Sequence, residues 1–135
     1  MADLPRLVRR RSVISGWGVY AGQTIEEDTH IVQYKGELVS QAEGSRREDR
    51  YLPRQRIWIF NINSRWVRDA AIGGNIARYI NHHCSPNCYT IVKGETIWIV
   101  AARNIRKGEE LTYDYSTDGP GHIQCRCTPG CKVML

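Results

Sequence analysis

Residues 75–88 read NIARYINHHCSPNC. Asn81, His82, His83, Cys84, Asn87 and Cys88 crowd amide, imidazole and thiol groups into a segment that also carries Pro86. Burying so many polar side chains requires a partner for each, which a purely structural segment rarely supplies, so the stretch reads as a site. Adjacency in sequence does not set His82 against Cys84 as base and nucleophile, because the fold brings such pairs together; a thiol hydrolase is therefore a poor reading.

The five cysteines all lie between Cys84 and Cys131, and their number is odd. In a reducing compartment such a set suggests metal ligands before disulfides. Residues 125–131 read CRCTPGC, three thiols in a turn-forming heptapeptide. Three thiolates lack one ligand for a closed tetrahedral zinc site, and Cys84 or Cys88 is the natural supplier of the fourth. The tail from Ser116 to Leu135 is rich in Gly, Pro and Cys and would hardly fold unaided; it needs a metal or the main body.

Two further segments stand out. Residues 15–20, SGWGVY, place glycines on either side of Trp17, which lets backbone approach a ligand closely, although most such triplets are only turns. Residues 109–115, EELTYDY, set Tyr113 and Tyr115 at alternate positions, on one side of an extended chain.

The whole sequence has 135 residues, enough for one domain of ordinary size, and its 41% hydrophobic and 24% charged residues argue against a disordered or fibrous chain. No stretch approaches the roughly 20 apolar residues of a membrane span. Arg6, Arg9, Arg10 and Arg11 have no apolar run behind them, so no secretory signal is read and an intracellular protein is expected. The net charge of +5 favours anionic neighbours such as nucleic acid without demonstrating one.

Residues 29–34, 57–63, 89–92 and 96–101 read as strands, with Lys93-Gly94 turning the last two into a hairpin. Residues 41–51 are polar enough for a short exposed helix or a loop, and 74–80 for one or two turns. The expectation is a mainly β domain, a strand meander with long connections rather than a βαβ repeat.

Taken in order, GWGVY at 16–20, YKGELVS at 34–40, DAAIGGNIARYINHHCSPNC at 69–88, ELTYDY at 110–115 and the cysteine tail resemble the SET-domain protein lysine methyltransferases. The resemblance implies several small β-sheets with a C-terminal pseudoknot that brings NHHCSPN and ELTYDY together. It divides the chain into a catalytic core, 1–115, and a zinc-tied post-SET tail, 116–135, packed on it. It implies S-adenosylmethionine as cofactor, held by Ser15, Gly16, Trp17, Gly18, Trp58, Arg78, Asn81, His82 and Arg126, and one structural zinc on Cys84, Cys125, Cys127 and Cys131. Tyr115 takes the place of the family's catalytic tyrosine, with Tyr34 lining the site. Tyr113 stands where members carry Phe or Tyr, which implies mono- or dimethylation.

The implied substrate is a lysine of a protein or histone tail, in the nucleus for a eukaryote and in the cytoplasm for a bacterium. DNA or nucleosome contact through the basic surface is a further expectation. Several features depart from the family pattern. Trp58 stands where many members have tyrosine, His83 replaces a usual serine, and CxCxxxC is one residue tighter than the common tail. With a short 40–56 stretch and no cysteine-rich segment ahead of the core, a minimal freestanding enzyme is expected. Two rival readings are a zinc-tied basic module that stacks on single-stranded nucleic acid, and an inactive SET domain used for interaction.

Overall fold

Runs of β-branched residues, Thr90, Ile91 and Val92 on one side and Thr96, Ile97, Ile99 and Val100 on the other, make the central hairpin. The computed structural model, which describes residues 4–115, 125 and 127–131, pairs Cys88–Lys93 (β8) antiparallel with Thr96–Ala101 (β9). Gly94 turns between them with a φ of +59°, the positive value that the first central residue of a two-residue II′ turn needs. His30–Gln33 (β3) adds to the other edge of β9, giving the order β3-β9-β8. Ile31, Ile97, Ile99 and Val100 from this sheet are fully or almost fully buried.

A second sheet has the order β4-β6-β5, from Glu37–Ser40 (β4), Ile59–Asn61 (β5) and Trp66–Asp69 (β6). Between β4 and β5 lies Gln41–Tyr51 (α1), the only α-helix among the described residues. Ser40 caps it by accepting from the Glu43 N–H at 3.2 Å, which decides for helix over loop. Gly44 is buried where α1 meets β6: a Cβ there would lie 2.6 Å from Val67 Cγ2, so its absence lets helix and sheet close.

Leu7–Arg11 (β1) pairs antiparallel with Trp17–Ala21 (β2), so the glycine-flanked tryptophan opens a strand rather than sitting in an isolated turn. The last pair departs from a meander. Asn81–His82 (β7) runs parallel to Thr112–Tyr113 (β10), with Thr112 opposite Asn81 and Tyr113 opposite His82. Asn87 fastens this junction. Its Nδ2 donates to the Glu110 carbonyl at 2.8 Å and its Oδ1 accepts from the Thr112 N–H at 2.9 Å.

The fold is therefore mainly β with small sheets, as expected, but among the described residues strands distant in sequence meet in three places: β3·β9, β4·β6 and β7·β10. The core that unites them holds Val19, Ile25, Ile80, Ile105 and Leu111, each at most 2% exposed. No helix among the described residues is long and apolar enough to cross a membrane.

Candidate active site

The parallel register of β7 and β10 carries the chain directly to Tyr115. Its backbone N–H donates to His82 Nδ1 at 3.0 Å, and its hydroxyl donates to the Ile80 carbonyl at 2.6 Å. The ring lies 4.9 Å from that of Tyr113 and 5.3 Å, edge-on, from that of His82. Residues some thirty positions apart thus form one rigid corner.

On one side of Tyr115 is a cavity of about 430 Å³, within the range of small-molecule sites. Ser15, Gly16, Trp17, Trp58, Arg78, Asn81 and His82 all line it, as do Arg11, Arg56 and Tyr79, which the sequence reading passed over. Among the described residues, its wall includes three arginines and no carboxylate. Asn81 is oriented by three acceptors of its Nδ2: the carbonyls of Ser15 at 3.2 Å and Trp17 at 3.0 Å, and Glu110 Oε2 at 3.0 Å. The Trp17 ring is approached by two guanidinium groups, Arg9 at 4.6 Å from its centroid and Arg11 at 4.4 Å. Arg78 donates to the Tyr79 hydroxyl at 2.7 Å, which lowers that phenol's pKa.

Gly18 does not reach this cavity. It backs onto Glu110, whose Oε2 would lie 2.3 Å from a Cβ at that position. The glycine makes room for a carboxylate that also accepts from the Ser12 hydroxyl at 2.7 Å. Arg126 lies outside the described residues.

On the other side of Tyr115 is a groove of about 730 Å³, lined by Tyr34, Phe60, Tyr113 and Tyr115 among others. Tyr115 and Ile57 line both spaces, so they form the partition between them. Charge is segregated across it. Among the described residues, the groove is lined by Glu48 and Asp114 but by no lysine or arginine, the opposite of the cavity. Burial raises the pKa of Tyr34, Tyr113 and Tyr115 above the ordinary phenol value, so all three hydroxyls stay protonated at neutral pH. Tyr34 donates to the Trp58 carbonyl at 2.9 Å and thereby ties the groove wall to the cavity wall.

The sulfurs of Cys84, Cys125, Cys127 and Cys131 lie within 4.8 Å of one another. Cys84 Sγ is 3.8 Å from Cys125 Sγ and 3.9 Å from Cys131 Sγ. A tetrahedral zinc with Zn–S bonds of about 2.3 Å sets its sulfurs about 3.8 Å apart, so the four thiols suit that ion. The clustered thiols shift apart: a backbone hydrogen bond from Cys84 brings the Cys127 thiol down to about 6, whereas burial and the neighbouring thiols push Cys84 up to about 12 and burial raises Cys125. Cys88 is left out: it is buried, donates to Asn87 Oδ1 at 3.4 Å, and is pushed by burial up to about 12.

Glu110 is a site residue that the sequence alone does not single out, since in ELTYDY it is only the first letter. The available signal was Gly18, ninety-odd positions upstream, whose missing side chain is filled by that carboxylate.

The SET-domain family model matches residues 16–116. Histone-lysine N-methyltransferase 2D of Homo sapiens is 42% identical over 125 residues, 87% of this chain and 2% of that protein. Histone-lysine N-methyltransferase trr of Drosophila melanogaster is 41% identical over 134 residues, 93% of this chain and 6% of that protein. A histone-lysine N-methyltransferase, H3 lysine-4 specific, of Chaetomium globosum is 44% identical over 139 residues, 93% of this chain and 13% of that protein. The chain thus spans a small fraction of the length of these relatives.

Proposed function

The chain belongs to the SET-domain family, and from that premise we propose that it is a protein-lysine N-methyltransferase that uses S-adenosylmethionine and acts first on histones. The observation that carries this reading is Tyr115 in the partition between an arginine-lined cavity and an aromatic groove. A cofactor on one side and a lysine side chain on the other would meet at that residue.

The cavity suits the cofactor chemically. Trp17, Trp58 and Tyr79 offer aromatic faces to an adenine ring, the arginines offer donors to an amino-acid carboxylate, and Asn81 keeps its Oδ1 as an acceptor for an ammonium group. When bound, S-adenosylmethionine supplies an electrophilic methyl group. Arg126 joins this set in the proposal, and Cys84, Cys125, Cys127 and Cys131 hold the zinc that ties the 116–135 tail to the 1–115 core.

The groove suits the amine. A lysine of ordinary pKa about 10.4 is pushed toward its neutral form by desolvation among Tyr34, Phe60, Tyr113 and Tyr115. No dedicated base is needed, and the tyrosines are held too firmly protonated to act as one. Because Tyr115 spends its proton on the Ile80 carbonyl, its oxygen keeps lone pairs that can accept from the amine N–H and orient it. Glu48 and Asp114 favour a cationic peptide, as a histone tail is. Tyr113 narrows the groove beside Tyr115 and restricts the product to one or two methyl groups. Arg9, Arg10 and Arg11, exposed on β1, give DNA or a nucleosome a surface to meet, which fits action on chromatin in a eukaryotic nucleus.

The test is incubation with S-adenosylmethionine labelled in the methyl group and a panel of histones and other host proteins. Label on lysine supports the proposal. No labelling of any protein by a folded, zinc-loaded chain overturns it.

A further inference from the structure

His82 stands between the cysteine cluster and Tyr115. Its Nδ1 accepts the Tyr115 N–H at 3.0 Å, which assigns the ring proton to Nε2. Nε2 faces Cys84 Sγ at 3.5 Å, within reach of a hydrogen bond to sulfur. The ring is 6% exposed and packs edge-on against the Tyr115 ring, so it has little freedom to tip. Asp114 Oδ1 lies 3.6 Å from Nδ1, farther than the Tyr115 N–H, and does not displace it.

We infer that the His82 imidazole couples filling of the four-cysteine cluster to the placement of Tyr115. The inference rests on the zinc reading given above but not on methyl transfer. A thiol at Cys84 can turn its proton toward a neighbouring sulfur or offer it to the ring, whereas a metal-bound thiolate can only accept. Filling the cluster therefore fixes Cys84 Sγ as the acceptor of Nε2–H and strengthens that bond by charge. With Nε2 committed, Nδ1 has no choice but to accept, and the acceptor it offers is the one that holds the Tyr115 backbone. His82 is thus a positioning residue for Tyr115 in addition to lining the cavity.

Zinc titration into the metal-free, ¹⁵N-labelled full chain tests this by NMR. The Tyr115 amide and the His82 Nε2 resonances should shift together, saturating at one zinc per chain. In His82→Phe the Gly130 amide, beside the cluster, should still report zinc binding, at an affinity about tenfold weaker, while the Tyr115 response disappears. Two smaller changes separate the two halves of the relay. His82→Gln keeps a donor near Nε2 and should retain zinc affinity without the Tyr115 response; His82→Asn keeps an acceptor near Nδ1 and should lose affinity. Should His82→Phe not fold, the Gln and Asn variants decide, and should none fold, the wild-type titration decides. A Tyr115 amide that ignores zinc in the wild type, or responds equally in the variants, overturns the inference. So does a wild-type chain that binds no zinc, an outcome that leaves methyl transfer to its own assay.

Discussion

Replacing Asp69 with alanine should cost about 3 kcal/mol of stability and damage the cofactor cavity at a distance. Asp69 is completely buried at the end of β6. Its Oδ2 accepts from Arg47 at 3.0 Å and from the Tyr51 hydroxyl at 2.7 Å, and its Oδ1 from the Ala71 N–H at 2.9 Å. Breaking a buried ion pair from one side typically costs about 3–5 kcal/mol because it strands the other charge. Here Arg47 retains Glu37 at 2.7 Å and Glu43 at 2.9 Å, so its charge is not stranded and the ionic part falls to about 1 kcal/mol. The two neutral donors add about 1 kcal/mol each, less whatever water entering the smaller side chain's space returns.

For a chain of this size about 3 kcal/mol corresponds to a fall of about 10 °C in Tm. The effect should reach the cavity because Tyr51, released from Asp69, is the ring that packs edge-on against Trp58 at 5.1 Å. Ala70 N–H also bonds the Trp58 carbonyl at 3.0 Å, so two ties to that wall depend on this corner. Urea melts of Asp69→Ala and Asp69→Asn, with cofactor titration by calorimetry, measure both parts. Asp69→Asn should fall between the variant and wild type, since it keeps the shape and one acceptor. A loss below about 1 kcal/mol for Asp69→Ala would show that the network contributes little, and the reasoning from it would fail.

Other outcomes follow from the site. Tyr113→Phe should raise the number of methyl groups added per lysine, read by mass spectrometry of a peptide product; an unchanged count with activity intact refutes the steric role. The pH profile of kcat/KM should climb about tenfold per unit toward the pKa of the substrate lysine, with no descending limb below about pH 10, because burial raises the pKa of Tyr115. A fall at pH 8–9 would contradict the assignment of the tyrosines as permanently protonated. Gly18→Ala should displace Glu110, cost about 1–3 kcal/mol and weaken cofactor binding through Asn81, as melts and titration would reveal; wild-type affinity would remove Glu110 from the account.

How much of this was readable beforehand depended on whether a residue's role is local. The hairpin of β8 and β9 is legible in short β-branched and aromatic runs around Lys93-Gly94, whereas the polar composition of 41–51 leaves helix and loop open until the Ser40 cap is seen. The parallel pairing of β7 and β10 is not encoded in either segment's pattern; it came only from the resemblance carried by NHHCSPN and ELTYDY together. β1 was missed because LVRRR looks like a solvated basic run. Its strand character comes from β2, and its arginines acquire meaning only when Arg9 and Arg11 stack on Trp17. The cavity draws on residues near 11–17, 55–58, 78–82 and 115, so Arg11, Arg56 and Tyr79 carried no signal until the chain was folded. Gly18 was legible as a position that must lack a side chain, but the occupant of the space it leaves, Glu110, was not.

The most direct test of the central claim is single-turnover methyl transfer by wild type and Tyr115→Phe, with cofactor affinity measured on the same preparations. Removal of the hydroxyl that orients the amine should slow transfer by about 10²-fold or more while cofactor affinity stays within a few fold, since that hydroxyl bonds the Ile80 carbonyl and the cavity wall is otherwise intact. Equal rates for the two proteins, or loss confined to cofactor binding, would contradict the assignment of Tyr115 as the point where cofactor and lysine meet.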